Sequence, residues 1–207
     1  MIIIKPSVEI EKIDGIAMLK RIEKAGRTCY KSEKNITEDS AKSFVASLIK
    51  NGHESVIEHE KITVTIICDR GVSHEAVRHR IASYSQESTR YVDYKSSEGS
   101  MQFIDIQPFM DEAALSVWVE TMTYIENAYN KLRKLGATPQ IARSVLPNSL
   151  KTEVVMTCNL REWRHFFKVR CPKAAHPQMR EISIELLGKM KKVIPVVFDD
   201  LIFEQNI

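Results

Sequence analysis

Apolar residues between Asp111 and Leu135 recur every three or four positions. Only an α-helix places residues with this spacing on one face, where they can be buried together. Gly136 follows directly and is a typical helix stop. The segment therefore predicts the longest helix of the protein. Its apolar face indicates packing against the core or another subunit rather than against a ligand. That face is formed by Leu115, Trp118, Met122, Ile125, Tyr129 and Leu132.

Shorter patterns predict the other elements, among which helices outnumber strands. Alternating β-branched residues predict strands at 62–68 and 150–158, and a short apolar run predicts a third at 2–4. Residues 95–110 are expected to form an irregular loop. Start and stop signals predict helices at 14–26, from a Thr37 cap to Asn51-Gly52, at 74–83 behind a Ser73 cap, at 138–147, at 159–170 behind a capping box of Asn159 and Glu162, and from Pro177 onward.

These elements predict an α+β fold, because strands do not alternate with crossover helices throughout the chain. We expect one helix-rich domain over residues 1–207 with a small mixed or antiparallel sheet. At 207 residues and 43% hydrophobic content the chain can enclose a core, and no repeat or Gly/Ser linker divides it.

Composition narrows the class of protein. The 30 basic and 27 acidic residues nearly balance, which argues against a protein that coats nucleic acid. No apolar run approaches the roughly 20 residues of a membrane helix, and the apolar start of the chain is too short for a signal peptide. Because Cys29, Cys68, Cys158 and Cys171 form no C-x-x-C pair and no metal-binding spacing, we expect reduced thiols, no metal and a cytoplasmic location.

The clearest functional pattern is Arg78-His79-Arg80, a dense set of hydrogen-bond donors with few acids beside it. On the predicted helix the triplet would point its donors in different directions, as a helix between two ligands requires, with Val77 and Ile81 toward the core. The alternative is a helix surface held by ion pairs to acids such as Glu75. Pairs of that kind contribute only about 0–1 kcal/mol each and would explain little of the clustering.

The loop expected after that helix, residues 86–90, is a candidate phosphate-binding loop. It offers the hydroxyl of Ser88, the guanidinium of Arg90 and exposed backbone N–H groups, which together can bind a monophosphate. Neither G-x-x-x-x-G-K-S/T nor G-x-G-x-x-G occurs in the chain. Any nucleotide must therefore be held by side chains.

Two more polar groups lie near predicted strand ends. The first spans Gly52–His59, between a helix stop and a strand, although His53 alone is as consistent with a structural histidine. The second group consists of Asn159, Arg161, His165 and Arg170 on or beside one helix.

Arg143 stands apart from both groups. It is a lone basic residue in a short apolar helix, where a simple solvated surface position is an equally consistent interpretation.

Taken in order, these blocks resemble those of the flavin-dependent thymidylate synthases, and the resemblance covers essentially the whole chain. Glu75, Gln86 and His165 depart from residues seen in some members of the family. The matching segments are Gly52-His53-Glu54-Ser55 with Glu58-His59; Arg78-His79-Arg80 with Ser85-Gln86, Ser88 and Arg90-Tyr91; Ala142-Arg143 with Leu146-Pro147; Thr157-Cys158-Asn159 with Arg161; and Arg170 with His176 and Gln178.

The resemblance implies a homotetramer that binds FAD, dUMP and a folate in sites shared between subunits, with no nucleic-acid or membrane partner. The implied reaction is the reductive methylation of dUMP to dTMP. 5,10-Methylenetetrahydrofolate would donate the carbon and leave as tetrahydrofolate, reduced FAD would donate the hydride, and NADPH would regenerate the flavin. No cysteine nucleophile is implied.

The resemblance also implies roles for single residues. Arg170 would be the catalytic residue, because a fixed guanidinium can stabilise the N3-ionised pyrimidine without losing its own proton. The implied FAD-binding residues are His53, Ser55, Glu58, Arg78, His79, Arg80, Ile81, Gln86, Asn159, Leu160, Arg161 and His165. The implied dUMP-binding residues are Glu75, Arg78, Gln86, Glu87, Ser88, Thr89, Arg90, Arg143 and Arg170.

Two other functions fit part of the pattern. A nucleic-acid-binding module would use the arginines on phosphates and stack bases on Tyr84, Tyr91 and Tyr94. A flavin-binding protein without turnover would keep the flavin residues alone. The synthase is favoured over both because a phosphate-binding loop, a flavin-type cluster and an arginine suited to a pyrimidine ring occur in one chain.

Overall fold

The fold was analysed in a computed structural model that describes residues 1–95 and 101–204, and these ranges contain seven α-helices and six strands. The strands are β1 (Ile2–Ile4), β2 (Ser7–Ile10), β3 (Lys61–Asp69), β4 (Ser83–Gln86), β5 (Gln102–Ile104) and β6 (Lys151–Asn159). The helices are α1 (Gly15–Thr28), α2 (Ser40–Lys50), α3 (Arg70–Ala76), α4 (Glu112–Lys134), α5 (Pro139–Ala142), α6 (Leu160–Arg170) and α7 (Pro177–Val193). Short 3-10 helices cover Glu33–Asn35, Glu54–His59, Gln107–Phe109 and Arg143–Val145.

The strands form two small sheets, so the predicted α+β class is confirmed while the single predicted sheet is wrong. One sheet has four strands in the order β2-β3-β6-β4. The other pairs β1 with β5 in parallel, with Ile2 opposite Gln102 and Ile4 opposite Ile104. Both long strands, β3 and β6, alternate buried and less buried residues as their sequences predict.

The described residues divide into two compact units. Unit 1 comprises residues 1–7, 66–78 and 85–155, and unit 2 comprises residues 8–65, 79–84 and 156–207. The candidate residues divide as well, since the phosphate-binding loop falls in unit 1 and the residues on α6 fall in unit 2.

The core of unit 1 is built on the apolar face of α4. Trp118, Met122 and Tyr129 are buried there, and the other three members of the predicted stripe pack partly buried beside them. Phe103 of β5 meets Trp118 edge-to-face at 6.3 Å, and the Trp118 indole N–H donates to Ser149 Oγ at 3.2 Å. The prediction that this stripe belongs to the core is confirmed.

The core of unit 2 is aromatic and is built on α6. Trp163, Phe166, Phe167 and Phe198 are fully buried, and the Trp163 and Phe167 rings stack with centroids 6.0 Å apart. The Trp163 indole N–H donates to the Ile62 carbonyl at 3.0 Å, which joins α6 to β3 inside this unit. Buried rings of this size, with the polar atom satisfied, fix the rotation of α6 about its axis.

The start of α2 differs from its prediction by two residues. The helix begins at Ser40 with Asp39 at the cap position, not behind Thr37. The Ser40 hydroxyl accepts the Thr37 N–H at 2.9 Å and donates to Glu23 at 2.9 Å, so residues 37–39 lie before the helix and are tied to its first residue. At the other end Asn51 and Gly52 stop the helix as predicted, with Gly52 at φ +71°.

Three short strands were not predicted from the sequence. β2, β4 and β5 have only three or four residues each, too few for alternation to be visible. β5 lies inside the segment 95–110 that was predicted to be an irregular loop, and residues 96–100 of that loop lie outside the described residues. β4 includes Gln86, which was expected in the phosphate-binding loop.

No helix in residues 1–95 or 101–204 combines the length and the apolar character that crossing a lipid bilayer requires.

Gly15 and Gly188 give a matched test of the packing at the start of α1. A methyl group at Gly15 would lie 1.9 Å from the Val193 carbonyl oxygen, whereas nothing lies within 4 Å of the same position at exposed Gly188 in α7. We expect Gly15→Ala to lower the free energy of unfolding by about 1–3 kcal/mol, because the backbone must shift. Gly188→Ala should raise it by about 0.5–1 kcal/mol through helix propensity. Urea unfolding of the two variants checks this, and equal changes would contradict the packing.

Candidate active site

Helix α6 is positioned by its cap residue, Asn159, which directly precedes it. The Asn159 side-chain oxygen accepts the Glu162 N–H at 2.8 Å, as the predicted capping box requires. The second half of the box is absent, because the Glu162 carboxylate instead meets His79. With the helix starting at Leu160, the phase that buries Trp163 and Phe167 leaves Arg161 and His165 on the opposite, exposed face.

This exposed face of α6 lines a cleft of about 600 Å³ in unit 2. Five of its lining residues belong to the predicted FAD-binding set: Glu58, Ile81, Asn159, Arg161 and His165. The others are Glu54, Glu162 and Lys168. The lining therefore combines three acids, two cations, a histidine and an amide with a single aliphatic side chain, a composition suited to a polar ligand.

Ion pairs link the 3-10 helix Glu54–His59 to α6 across the cleft. Arg161 pairs with Glu58, and Lys168 lies 3.5 Å from the Glu54 carboxylate. The Glu54 carboxylate also accepts from Arg164 Nε at 2.9 Å. Burial opposes ionisation of Glu54, but the bonds from Arg164 and Lys168 outweigh it and lower its pKa.

Arg164 is the buried support of this arrangement, and nothing in the sequence analysis pointed to it. Its side chain is 2% exposed and all three guanidinium nitrogens donate: besides the bond to Glu54, there are two to the Asp200 carboxylate at 2.7 Å and one to the Val197 carbonyl. A buried guanidinium is tolerated only when its donors are satisfied, so Glu54 and Asp200 hold it jointly.

The second cluster in unit 2 centres on His79, which is buried. Its Nδ1 lies 2.9 Å from the Glu162 carboxylate, and its Nε2 lies 3.1 Å from Arg170 Nε. The ring also packs against Phe166 and His165, with centroids 4.9 Å and 5.5 Å away. Burial lowers the pKa of His79, although the hydrogen bond to Glu162 acts in the opposite direction.

The same cluster offers ligand-type atoms for a cation. One atom each from His79, Glu162 and His165 lies within 4.8 Å of the others. Both nitrogens of His79 are already hydrogen-bonded, however, and one partner is the permanent positive charge of Arg170. The arrangement favours a hydrogen-bonded network over a metal site.

The predicted helix over 74–83 is wrong, and this changes how the arginine–histidine–arginine triplet is presented. Helix α3 begins at Arg70 because the Asp69 carboxylate caps the Val72 N–H at 2.6 Å, and it ends at Ala76. Val72 and Ala76 form its buried face, and the next position on that face would be Arg80, a charge that the core cannot accept. The triplet therefore lies beyond the helix.

Outside the helix, the side chains near the triplet point differently from the prediction. Val77 and Ile81 were expected in the core but are 38% and 69% exposed. Arg78 and Arg80 are exposed, and only His79 is buried. The triplet thus presents two guanidinium groups to solvent on either side of an inward imidazole.

The predicted phosphate-binding loop of unit 1, residues 86–90, is anchored at its start by side-chain hydrogen bonds. Gln86 at the end of β4 donates to Ser73 Oγ at 2.9 Å and to Thr152 Oγ1 at 3.2 Å. The Glu87 carboxylate accepts from Tyr94 at 2.6 Å and from Lys151 at 2.8 Å. Glu87 is thereby used within the protein, where it fixes the start of the loop.

The remainder of the loop brings together four of the predicted dUMP residues. The Ser88 hydroxyl accepts the Arg90 N–H at 3.3 Å, which leaves its own proton available to donate. Arg143 donates to buried Thr89 at 3.3 Å, which places the otherwise isolated arginine beside the loop. Glu75 and Arg78 lie in the same unit, at the end of α3 and just after it.

Some predicted FAD residues do not line the cleft. Leu160 is fully buried, and its N–H donates to the Glu60 carbonyl. His53, Ser55 and Arg80 are exposed in unit 2 but do not line the cleft, and Gln86 belongs to β4. Of the residues missed, Lys168 shares the helical spacing of Arg161 and His165, Glu54 is one helical turn before Glu58, and Glu162 occupied the capping-box position.

The cysteines contribute no nucleophile to either group. All four are free thiols; Cys29 is exposed, and Cys68, Cys158 and Cys171 are buried. Burial raises the pKa of the Cys68 and Cys171 thiols to about 12 and also raises that of Cys158. Thiols of this kind are inert at neutral pH.

The fold is α+β, and its cleft is lined by polar side chains rather than by a glycine-rich loop. The chain belongs to the thymidylate synthase complementing protein family, whose sequence model matches residues 15–196. A protein named flavin-dependent thymidylate synthase from Geobacter sulfurreducens is 35% identical over 183 residues, which cover 85% of this chain and 78% of the relative. Another protein of that name from Mycobacterium tuberculosis is 34% identical over 194 residues, which cover 86% of this chain and 78% of the relative.

A solved structure supports the same fold. The UMP/dUMP methylase PolB from Streptomyces cacaoi, crystallised with 5-Br dUMP, superposes with a TM-score of 0.79 over 96% of each chain. The two sequences are 21% identical, so this likeness concerns the fold alone.

The lowered pKa of His79 predicts a specific pH dependence of stability. Because burial favours the neutral imidazole, the unfolded chain binds the extra proton more readily than the folded one. The stabilisation is fully present above the usual pKa of 6.5 and is lost as the pH falls from there toward the lowered folded value.

Urea unfolding between pH 5 and 8, roughly the range that spans histidine titration, tests this dependence. In His79→Asn the side-chain amide can still donate to Glu162 but does not titrate. We expect its stability to fall less steeply below pH 6.5 than that of the wild type. Parallel curves for the two proteins would contradict the assignment.

Proposed function

We propose that the protein is an FAD-dependent thymidylate synthase. It methylates dUMP to dTMP, with 5,10-methylenetetrahydrofolate as the carbon donor and tetrahydrofolate as the released product. NADPH regenerates the reduced flavin. Membership of the thymidylate synthase complementing protein family over residues 15–196 is the observation that carries this proposal.

The cleft of unit 2 fits FAD. Its volume of about 600 Å³ lies within the range of about 300–1,000 Å³ usual for cofactor pockets. The N-terminus of α6 opens at Asn159, a position that favours an anionic group, and Arg161 and Lys168 add two cations along the same face. The side chains that would hold FAD are therefore those of Glu58, Ile81, Asn159, Arg161 and His165, with His53, Ser55, Arg78, Arg80 and Gln86 assigned by resemblance.

His79 is proposed to support the flavin site indirectly, unlike the other flavin-binding residues. Its two ring nitrogens are bonded to Glu162 and Arg170, so the imidazole serves this site through those neighbours and through its packing against His165. Leu160 likewise acts through the backbone, since its side chain is buried. When bound, reduced FAD supplies the hydride for the reaction.

The loop of unit 1 is proposed to hold the phosphate and sugar of dUMP. The Ser88 hydroxyl keeps a proton to donate, and the exposed guanidinium groups of Arg90 and Arg143 provide positive charge and forked donors. Thr89 orients Arg143, while Gln86 and Glu87 fix the loop. Glu75 and Arg78 complete the proposed dUMP set.

Arg170 is the proposed catalytic residue. Reaction at C5 of uracil requires negative charge to build up on the N3 and O4 side of the ring, and a guanidinium stabilises that charge while remaining protonated. The group is partly exposed at the end of α6 and is held from behind by His79. A pre-oriented donor loses little free energy to reorganisation when the charge develops.

The assembly and the location also remain proposals. One domain of residues 1–207 is proposed to form a homotetramer with sites shared between subunits, since 23.7 kDa without a dinucleotide-binding motif leaves little room for three ligands. Four free cysteines suit a reducing compartment, and on that ground we propose the cytoplasm.

A nucleic-acid-binding module receives little support from the tyrosines it would need. Tyr84 donates to the His79 carbonyl at 2.9 Å, and Tyr94 donates to Glu87 at 2.6 Å, so both are partly buried within the protein. Of the three, only Tyr91 is largely exposed. Stacking on successive bases would require several free rings.

The release of tritium from [5-³H]dUMP tests the reaction. With FAD, NADPH and 5,10-methylenetetrahydrofolate present, we expect the amount of tritium released into water to equal the amount of dTMP formed, because the C5–H bond must break before the methyl group forms. The control omits the folate. A folded protein that is yellow with FAD but releases no tritium would instead be a flavin-binding protein without turnover, and a colourless protein with salt-sensitive nucleic-acid affinity would favour the nucleic-acid module.

Arg170→Lys tests the catalytic assignment. The charge persists but the planar fork is lost, so kcat should fall by about 10²-fold or more while the affinity for FAD stays near the wild-type value. Arg21→Lys is the matched control, because the exposed Arg21 makes a forked pair with the buried Glu60 outside the proposed site. Steady-state kinetics and flavin titration measure both quantities. An equal loss of FAD binding and turnover in Arg170→Lys would assign Arg170 to the flavin or the fold instead.

A further inference from the structure

We propose that Glu162 is a positioning residue that fixes the tautomer of His79, and that His79 in this tautomer holds the guanidinium of Arg170 in place. This inference rests on the proposed function, because it concerns how the proposed catalytic arginine is oriented. The family resemblance pointed to His79 and Arg170 but not to Glu162. The three side chains form one chain of hydrogen bonds inside unit 2.

The position of the proton on His79 follows from its two neighbours. Arg170 has only donors, so the His79 nitrogen that faces it must carry the lone pair; that nitrogen is Nε2. The neutral ring then carries its hydrogen on Nδ1, which faces the Glu162 carboxylate at 2.9 Å. An ionised carboxylate has only acceptors, so the N–H of Nδ1 satisfies it. No other protonation state satisfies both neighbours.

Each alternative breaks at least one of the two contacts. If the proton moved to Nε2, two donors would face each other at Arg170 and two acceptors at Glu162. If both nitrogens were protonated, the positive imidazolium would face the positive guanidinium. The observed distances of 2.9 Å and 3.1 Å are those of two made hydrogen bonds. The tautomer of His79 and the direction of the Arg170 guanidinium are therefore linked.

The Glu162 carboxylate is itself held in place. Its backbone N–H is bonded to the Asn159 cap, it lies in the first turn of α6, where a negative charge is favourable, and it is buried. A buried carboxylate with a fixed backbone has little freedom to leave its partner. Glu162 thus acts as the orienting acid that functional histidines commonly require on the nitrogen away from the reacting group.

Among the described residues, the other groups around His79 do not accept a hydrogen bond from its Nδ1. From α6, His165 meets the ring by its edge, and from β4 the Tyr84 hydroxyl bonds the backbone carbonyl rather than the ring. Phe166 packs against the ring without any polar atom, and the Cys158 thiol of β6 is a buried neutral group near Glu162 and Tyr84. Among the described residues, Glu162 is the acceptor that faces Nδ1.

Two substitutions separate the acceptor from the size and charge of the side chain. Glu162→Met has a similar length but no strong acceptor, whereas Glu162→Gln keeps an oxygen that can accept from Nδ1. Glu185→Met is the matched control, since Glu185 lies on α7, is exposed and pairs only with Lys189 at 2.7 Å. It removes a carboxylate from the same protein without touching the cluster.

The tautomer is read directly by ¹⁵N NMR of histidine-labelled protein, in which protonated and unprotonated ring nitrogens have different shifts. The His79 signals are identified by their absence from His79→Asn. We expect the N–H on Nδ1 in the wild type, in Glu162→Gln and in Glu185→Met, and a mixture or the Nε2–H form in Glu162→Met. A wild type with the proton on Nε2, or with a doubly protonated ring at pH 7.5, would overturn the proposal whatever the protein does to dUMP.

Turnover supplies the second reading. Relative to wild type, kcat should fall about 10- to 100-fold in Glu162→Met and be restored to within about threefold in Glu162→Gln, the pattern expected when an orienting partner is lost and regained. In the control Glu185→Met, neither the affinity for FAD nor the stability should change. Full turnover in Glu162→Met with a displaced tautomer would also overturn the link to Arg170. A wild type that shows the expected tautomer but no dUMP turnover would leave the tautomer assignment intact and refute the proposed function.

Discussion

The bond from the Asn159 side chain to the Glu162 N–H sets the phase of α6, and that phase gives each residue of the helix its task. One face carries the aromatic core of unit 2, including Trp163 and Phe167. The opposite face carries Arg161 and His165 into the cleft. A start displaced by one residue would rotate every side chain by about 100° and exchange core for cleft.

Two buried polar clusters then hold the surroundings of this helix. Arg164 joins the helix to Glu54 at the cleft and to Asp200 near the end of the described chain. Glu162 joins it to His79. Hydrogen bonds within each cluster make buried charge tolerable. At the cleft wall, the exposed cations Arg161 and Lys168 pair with Glu58 and Glu54.

The sequence could reveal what local patterns encode. The long apolar period of α4 and the Asn159 cap of α6 gave those helices correctly, because their signals lie within a few residues. The helix expected over 74–83 was wrong, because whether a short helix continues depends on burial of its next face, at Arg80, which only the packed chain decides. Strands as short as β4 show no period at all.

The candidate site shows the same division. A family resemblance over the whole chain located Arg161, His165 and Arg170 and the loop 86–90. It could not reveal that Arg164 is hydrogen-bonded to Glu54, 110 positions earlier, and to Asp200, 36 positions later, because no periodicity links these residues. Glu162 was visible only as a helix cap. Its contact with His79 spans 83 positions and replaces the local bond that its spacing predicted.

The thiols carry a consequence for the conditions that this protein can tolerate. Three sulfur atoms are enclosed and protonated, and Cys29 alone is reachable from the solvent. Alkylating reagents select accessible thiols, so among the cysteines they would modify Cys29 alone. Because the chemistry proposed for this protein uses no thiolate, that modification should leave turnover unchanged.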